Sequence, residues 1–160
     1  MGTLIIEGRE VVRSFVEHEH AELVAGIAGI HEAAHQPPTT SPGEMVAQVS
    51  GVLRWLDETL RPHMSWEEGW LFPQIDQRTR TRWATRITRF DHRQIADQAE
   101  HLAGDRARLV HAPSADAMLE ARGTLAALEA LLRSNLEREE ALLLPVLEEP
   151  AEGWSSEWRD

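Results

Sequence analysis

The sequence predicts an all-α fold, an antiparallel up-down four-helix bundle with an internal two-fold pseudo-repeat. Four long segments carry apolar residues at alternating spacings of three and four, which is typical of amphipathic helices, and no segment alternates like a strand. Several polar residues also recur at one fixed offset of 72 positions. For 160 residues, 42% of them hydrophobic, we expect a single domain over 1–160, with a core over 7–145 and a C-terminal tail over 146–160.

Proline positions and capping residues delimit the first two helices. The first is predicted over 7–34, because the prolines from Pro37 onward cannot continue it. The second begins at Ser41, whose hydroxyl can cap the helix, while Pro42 suits the first turn and Glu44 can complete a capping box. The short loop makes these two helices antiparallel neighbours.

The second half repeats this plan with two further helices. The third is predicted over 79–109, and Ser114 can cap a fourth that extends to about Leu144. Inside the second helix, Pro62 lacks an amide proton and its ring clashes with the preceding turn. We therefore expect a kink just before His63.

The two halves of the chain share rare polar residues at the same offset. The pairs are Glu19-His20 with Asp91-His92, Glu67-Glu68 with Glu139-Glu140, Pro73 with Pro145, and His63 with Asn135. Apolar repeats alone occur in any helical hairpin, but a shared offset for polar residues indicates a duplicated hairpin.

On every helix, the apolar stripe that should face the core leads to a polar residue. The stripes are Val12, Val16 and His20; Val49, Val52, Leu56, Leu60, His63 and Glu67; His92, Ile95, Ala99 and Leu102; and Met118, Ala121, Leu125, Leu128, Leu132, Asn135, Glu139 and Leu142. Residues four apart lie on one helix face, so His63 and Glu67 can reach the same ion. Buried carboxylates such as Glu67 and Glu139 require a cation or another partner.

Composition excludes several classes of function. The chain has no cysteine, so a metal must be bound by nitrogen and oxygen, and it has no lysine for Schiff-base chemistry. Its net charge of −11 argues against nucleic acid and acidic membrane surfaces as partners. With no apolar run long enough for a signal peptide or a membrane span, we expect a cytoplasmic protein.

The order of these residues resembles the hemerythrin-like family, the HHE cation-binding domains, from about His18 to Pro145. The family pattern of the second helix, His-x-x-x-Glu followed by Glu and Leu-Phe-Pro, is reproduced in full from His63 to Pro73. The resemblance implies that His20, His63 and Glu67 ligate one metal, with Glu139 bridging to a second held by His92 and Glu67. Asn135 departs from the pattern, since it lies where the histidine of the fourth helix belongs and leaves a sixth ligand missing.

The resemblance implies a non-haem iron protein, with two irons of which the second is held less tightly; manganese or zinc fits less well. We expect it to bind or react with dioxygen, nitric oxide or peroxide. An oxygen-activating oxidase or oxygenase acting on a small organic substrate is the alternative, so the question of enzyme activity stays open. A third hypothesis is a degenerate bundle that binds no metal and serves as an interaction module. No catalytic residue and no organic cofactor is assigned, and the oligomeric state is left open.

Each candidate ligand also has a simpler interpretation. His63 and Glu67 would equally suit a buried ion pair without metal, and His92 a buried or supporting histidine. His18 competes with His20, but the two lie about 200° apart on a helix. We choose His20 because the residues after it match those after His92.

The remaining histidines and tryptophans receive structural interpretations. We expect His31 to be a core or pocket residue, and His35, His101 and His111 to lie at the surface. Glu68 and Glu140 are expected at the rim of the site, solvated or hydrogen-bonded. Trp66 and Trp70 are expected to pack or to border an access channel, and Trp154 and Trp158 in the tail to pack on the bundle or on a partner.

Overall fold

Four long helices make up the described part of the chain in a computed structural model, which covers the backbone of residues 2–148 and the side chains of residues 16 and 18–147. Helix α1 is Gly2–Ala34, and α3 is Trp83–His111. Helix α2 runs without a break through Pro42–Trp55, Leu56–Leu60, Arg61–Trp66, Glu67–Leu71 and Phe72–Thr79. Helix α4 runs likewise through Ala115–Arg138, Glu139–Leu143 and Leu144–Glu148.

These helices form the predicted all-α bundle, and the described residues contain no strand. Consecutive helices pack side by side, and α4 closes the bundle against α1. The interior stripes are buried as predicted, from Val49 to Leu60 on α2 and from Ala121 to Leu132 on α4. None of the described helices combines the length and the apolar composition that a membrane span requires. Trp154 and Trp158 lie outside the described residues.

Two serines cap the helices that the sequence assigned to them. The Ser41 hydroxyl accepts a hydrogen bond from the backbone N–H of Glu44 at 3.3 Å, and the Glu44 carboxylate accepts one from the backbone N–H of Ser41 at 2.7 Å. The Ser114 hydroxyl accepts from the backbone N–H of Ala117 at 3.1 Å. The predicted capping box and the second cap are therefore confirmed.

Three prolines inside helices each follow a π-helical turn. These turns are Leu56–Leu60 before Pro62, Glu67–Leu71 before Pro73, and Glu139–Leu143 before Pro145. In each case the residue before the proline donates its backbone N–H to the carbonyl five residues earlier. Proline has no N–H to donate and its ring crowds the carbonyl four residues back, so the preceding turn widens. Where the sequence predicted a kink, just before His63, helix α2 continues through a π-helical turn.

The widened turn in α4 corrects one core prediction. Leu142 was predicted to continue the buried stripe after Glu139, but it is 52% exposed, whereas Leu143 is fully buried. The π-helical turn adds a residue, which moves the inward position from the third to the fourth residue after Glu139. Trp70 and Leu71, 72 positions earlier, show the same exposed and buried order.

The boundary between α2 and α3 also differs from the prediction, which began the third helix at Thr79. Thr79 is the last residue of α2, and Arg80 adopts a left-handed conformation with φ of 54°. A left-handed residue ends a helix, and glycine usually occupies that place. Arginine carries no such signal in the sequence. Helix α1 in turn begins earlier than predicted, at Gly2, and α4 continues to Glu148.

Candidate metal centre

Six polar residues predicted for the metal site are all buried and meet between the four helices. They are His20 from α1, His63 and Glu67 from α2, His92 from α3, and Asn135 and Glu139 from α4. Both glutamates begin a π-helical turn, a feature that is frequent at functional sites. The structure brings the predicted residues together, and their role as ligands stays a prediction.

Glu67 faces a histidine with each of its carboxylate oxygens. Its Oε1 lies 3.2 Å from Nε2 of His63, and its Oε2 lies 3.3 Å from Nε2 of His92. Neither oxygen accepts a hydrogen bond from any described residue. A carboxylate that offers one oxygen to each of two imidazoles can bridge two metal positions.

Glu139 has the same two-sided arrangement on the facing helix. Its Oε2 lies 3.7 Å from Nε2 of His20, and its Oε1 lies 3.7 Å from Nε2 of His92. Donor atoms of His20, His63, Glu67 and Glu139 all lie within 4.8 Å of one another. One position is therefore surrounded by two imidazoles and two carboxylates, and the other by His92 and the remaining carboxylate oxygens.

Asn135 takes part in the second position only indirectly. Its Nδ2 donates a hydrogen bond of 2.7 Å to Oε1 of Glu139, the carboxylate oxygen that also faces His92. Its Oδ1 is buried and has no hydrogen-bond partner among the described residues. The asparagine thus orients Glu139 and offers a neutral oxygen where an imidazole would bring a stronger donor to the metal.

Several buried donor and acceptor atoms of the site make no hydrogen bond to any described residue. They are both oxygens of Glu67, Oε2 of Glu139, and Nε2 of His20, His63 and His92. Leaving such groups unpaired costs roughly 1–3 kcal/mol each, and native proteins rarely do so. All six atoms converge on the space between the carboxylates, so a bound cation would satisfy them together. This donor set fits a metal ion.

The pKa values of the site depend on its carboxylates and imidazoles facing each other. Burial raises the pKa of Glu67, but the facing imidazoles of His63 and His92 outweigh it and hold that pKa at about 2. Burial lowers the pKa of His92, but Glu139 and Glu67 outweigh it and raise the pKa to about 10. Burial also raises the pKa of Glu139, to about 7, with the negative charge of Glu67 adding to the effect. The two facing carboxylates therefore favour a positive charge between them.

Each histidine turns its other ring nitrogen to an outer carboxylate. Nδ1 of His20 lies 3.1 Å from Glu140, and Nδ1 of His92 lies 2.9 Å from Glu68. Nδ1 of His63 lies 3.5 Å from Glu19, an ion-pair distance without hydrogen-bond geometry. Such partners fix the ring and leave Nε2 for the metal. Glu68 and Glu140 are thus hydrogen-bonded at the rim, as predicted.

The duplicated halves differ around Asn135 by more than one residue. Glu19, which faces His63 in the first half, corresponds to Asp91 in the second. Asp91 is buried; its Oδ2 accepts a hydrogen bond from Nε of Arg138 at 2.9 Å and lies 2.7 Å from Nη2 in an ion pair. The carboxylate that would support a histidine at position 135 is therefore occupied by an arginine. Residue composition alone gave no signal for this pairing.

The prediction that His20 rather than His18 faces the core is confirmed, whereas the prediction for His31 is wrong. His18 is exposed while His20 is buried. His31 was predicted in the core or a pocket, but its side chain is 51% exposed, because its position on α1 faces Glu129 at the bundle surface. Trp66 and Trp70 stack on each other with ring centroids 5.4 Å apart beside the site.

The comparison with known families agrees with this geometry. The family model described as the hemerythrin HHE cation binding domain matches residues 11–152. No curated protein and no solved structure gives a significant match. The matched region contains all six buried residues of the site. The chain therefore belongs to the hemerythrin HHE cation-binding family.

Proposed function

We propose that the chain is a non-haem iron protein that binds or reacts with a small oxidant such as dioxygen, nitric oxide or peroxide. The observation that supports it is the set of three imidazoles and two carboxylates in which every Nε2 atom and three of the four carboxylate oxygens are buried without a hydrogen-bond partner among the described residues. Nitrogen and oxygen donors of this kind suit iron, and manganese or zinc less well, in a bundle core. A ferrous ion with an open coordination position supplies the oxidant-binding chemistry.

The chain's own residues define two unequal metal positions. His20 and His63 supply imidazoles to the first, while His92 alone supplies one to the second. Glu67 and Glu139 present an oxygen to each. We infer that the second position binds iron less tightly and keeps a coordination place free, since Asn135 brings no imidazole. An iron held there would offer that free place to the oxidant.

The surroundings of the site favour a small ligand over an organic substrate. Phe72 packs beside His92 with ring centroids 5.4 Å apart, and Trp66 lies 6.2 Å from His63. An oxidase or oxygenase acting on an organic molecule needs open space next to the metal, and these two aromatic rings pack against two of the site's histidines. We therefore place this activity second.

The experiment is anaerobic loading with ferrous iron, followed by exposure to dioxygen, nitric oxide and peroxide in separate samples. We expect bound iron and a new near-ultraviolet or visible absorption with at least one of them. His63→Ala and Glu67→Ala should lose most of the iron and the absorption, while the exposed control His101→Ala keeps both. Stoichiometric iron that responds to none of the three oxidants contradicts the proposal, as does unchanged iron content in both site variants.

A further inference from the structure

A second cluster of histidine and carboxylate side chains lies on the bundle surface, away from the buried site. His31 lies in the last turn of α1, His35 directly follows the final residue of that helix, and Glu129 faces His31 from α4. One donor atom from each lies within 4.8 Å of the others. His31 follows His20 by eleven residues, so the two clusters are about 16 Å apart along α1.

The distances between these side chains suit a shared cation. Nδ1 of His31 lies 3.1 Å from both carboxylate oxygens of Glu129. The rings of His31 and His35 stack with centroids 4.1 Å apart. Two donors bound to one tetrahedral zinc at about 2.0–2.1 Å each are separated by about 3.3 Å. An ion can therefore replace the hydrogen bond between His31 and Glu129 with little movement.

A hydrogen bond to the backbone fixes the tautomer of His35. Nδ1 of His35 lies 2.9 Å from the backbone carbonyl of His31, and a carbonyl can only accept, so Nδ1 carries the proton. In the neutral ring, Nε2 then keeps a free lone pair. Metal-ligating histidines commonly donate their other ring N–H in this way, which fixes both tautomer and orientation.

Glu129 supplies the negative charge of the cluster, but Arg133 also binds its carboxylate. Hydrogen bonds from Arg133 and His31 outweigh the effect of partial burial and lower the pKa of Glu129. Nε of Arg133 donates to Oε1 at 2.8 Å, one turn along α4, which leaves Oε2 for an ion. A neighbouring arginine weakens cation binding and so sets the affinity of the cluster.

We propose that His31, His35 and Glu129 form a second metal site, which binds a borderline divalent cation of the zinc class. Two imidazoles and one carboxylate are a donor set that zinc accepts, with a fourth position left to water. The ion joins the C-terminal end of α1 and the first residue of the 35–41 loop to the middle of α4. It stabilises the folded chain there, independently of the buried centre.

Zinc titration of the full chain separates the two sites. The variant His63→Ala impairs the buried centre, and we expect it still to bind one zinc ion at the surface. Adding His35→Ala or Glu129→Gln to this variant should weaken that remaining binding at least about tenfold, because each removes a ligand. The added substitution His101→Ala, an exposed histidine on α3, should change nothing. Arg133→Gln should strengthen binding by freeing Glu129.

Two further readouts test the assignment directly. Zinc should shift the ring signals of His31 and His35 in the nuclear magnetic resonance spectrum of His63→Ala. It should also raise the thermal unfolding midpoint of this variant, but not after His35→Ala is added, since an ion that binds only the native state stabilises it. The proposal is overturned if His63→Ala binds no zinc, or if the His35→Ala and Glu129→Gln additions leave its zinc affinity unchanged.

Discussion

Glu68 holds the ring of His92 through a contact of 2.9 Å between its Oε1 and Nδ1 of the imidazole. Glu140 holds His20 in the same way at 3.1 Å, 72 positions after Glu68. Each of these carboxylates directly follows a glutamate of the site, so one pair of adjacent residues supplies both an inner oxygen and an outer support. The second glutamate of each pair therefore has a function distinct from that of the first.

Removing an outer carboxylate should weaken metal binding without abolishing it. We expect Glu68→Ala or Glu140→Ala to lower iron affinity about 10–100-fold, because the imidazole loses its orientation and part of its basicity. Glu67→Gln, which replaces a proposed ligand by a neutral group of the same shape, should lower it further. Anaerobic iron titration measures the series, with the exposed Glu137→Ala as the control. Equal affinities for Glu68→Ala and Glu137→Ala would contradict the supporting role.

Two glycines on α1 should respond oppositely to alanine. A Cβ on Gly26 would overlap the indole of Trp55 on α2, whereas a Cβ on Gly29 meets nothing within 4 Å. We expect Gly26→Ala to destabilise the protein by about 1–3 kcal/mol through overpacking. Gly29→Ala should stabilise it by about 0.5–1 kcal/mol, because glycine is unfavourable inside a helix. Chemical denaturation of both variants measures the difference; a Gly26→Ala protein as stable as Gly29→Ala would show that the indole moves freely.

The stability of metal-stripped protein should fall as the pH rises. His92 has a pKa of about 10 in the folded chain against an ordinary value of 6.5, so its contribution is complete below about pH 6.5 and is lost towards pH 10. The raised pKa of Glu139 acts in the same direction between pH 4.5 and about 7. The slope is at most about 1.4 kcal/mol per pH unit for each extra proton held by the folded state.

Denaturant unfolding at several pH values tests this slope in the metal-stripped chain. His92→Gln should flatten it above pH 6.5, while His101→Gln should leave it unchanged. Metal loading should reverse the trend, because the ligands must lose their protons before they bind. A metal-stripped protein with the same stability at pH 6.5 and pH 9 would argue against a proton held on His92.

Much of the site could be predicted because its residues interrupt regular patterns. His63 and Glu67 continue an apolar stripe, and the offset of 72 identifies their counterparts in the second half. Leu142 was placed wrongly because the periodicity assumes 3.6 residues per turn, while Pro145 widens the turn before it. The sequence does show the proline, so the shift is predictable once its effect is known.

Contacts between helices were beyond the reach of the sequence. The ion pair between Asp91 and Arg138, and the approach of Glu129 to His31, depend on how α4 is rotated against its neighbours. Periodicity gives the inward face of each helix but not which side chains meet at its edges. Asp105, buried between α3 and α4 and hydrogen-bonded to Thr124 at 2.5 Å, was missed for the same reason.

The position of Asn135 should limit the affinity of the second metal position. We expect Asn135→His to supply the missing imidazole and to bring the second iron towards the affinity of the first, while Asn135→Ala should not. If the free coordination place binds the oxidant, Asn135→His should slow the reaction with dioxygen although this variant binds more iron. Iron titration and oxygen consumption measure the two effects on the same samples.

Arg138 decides how large the gain from Asn135→His can be. In the first half, Glu19 lies 3.5 Å from Nδ1 of His63, and the corresponding Asp91 is engaged by Arg138 instead. A new histidine at position 135 therefore lacks its outer carboxylate until Arg138 is removed.

The substitution Arg138→Trp introduces the residue found at the corresponding position of the first half, Trp66. We expect the double variant Asn135→His with Arg138→Trp to bind the second iron more tightly than Asn135→His alone. Arg138→Trp by itself should bring no gain, because no imidazole is present to use the freed Asp91. Two equally tight irons in the natural chain, unchanged by either substitution, would place Asn135 outside the metal's coordination and contradict the unequal positions proposed above.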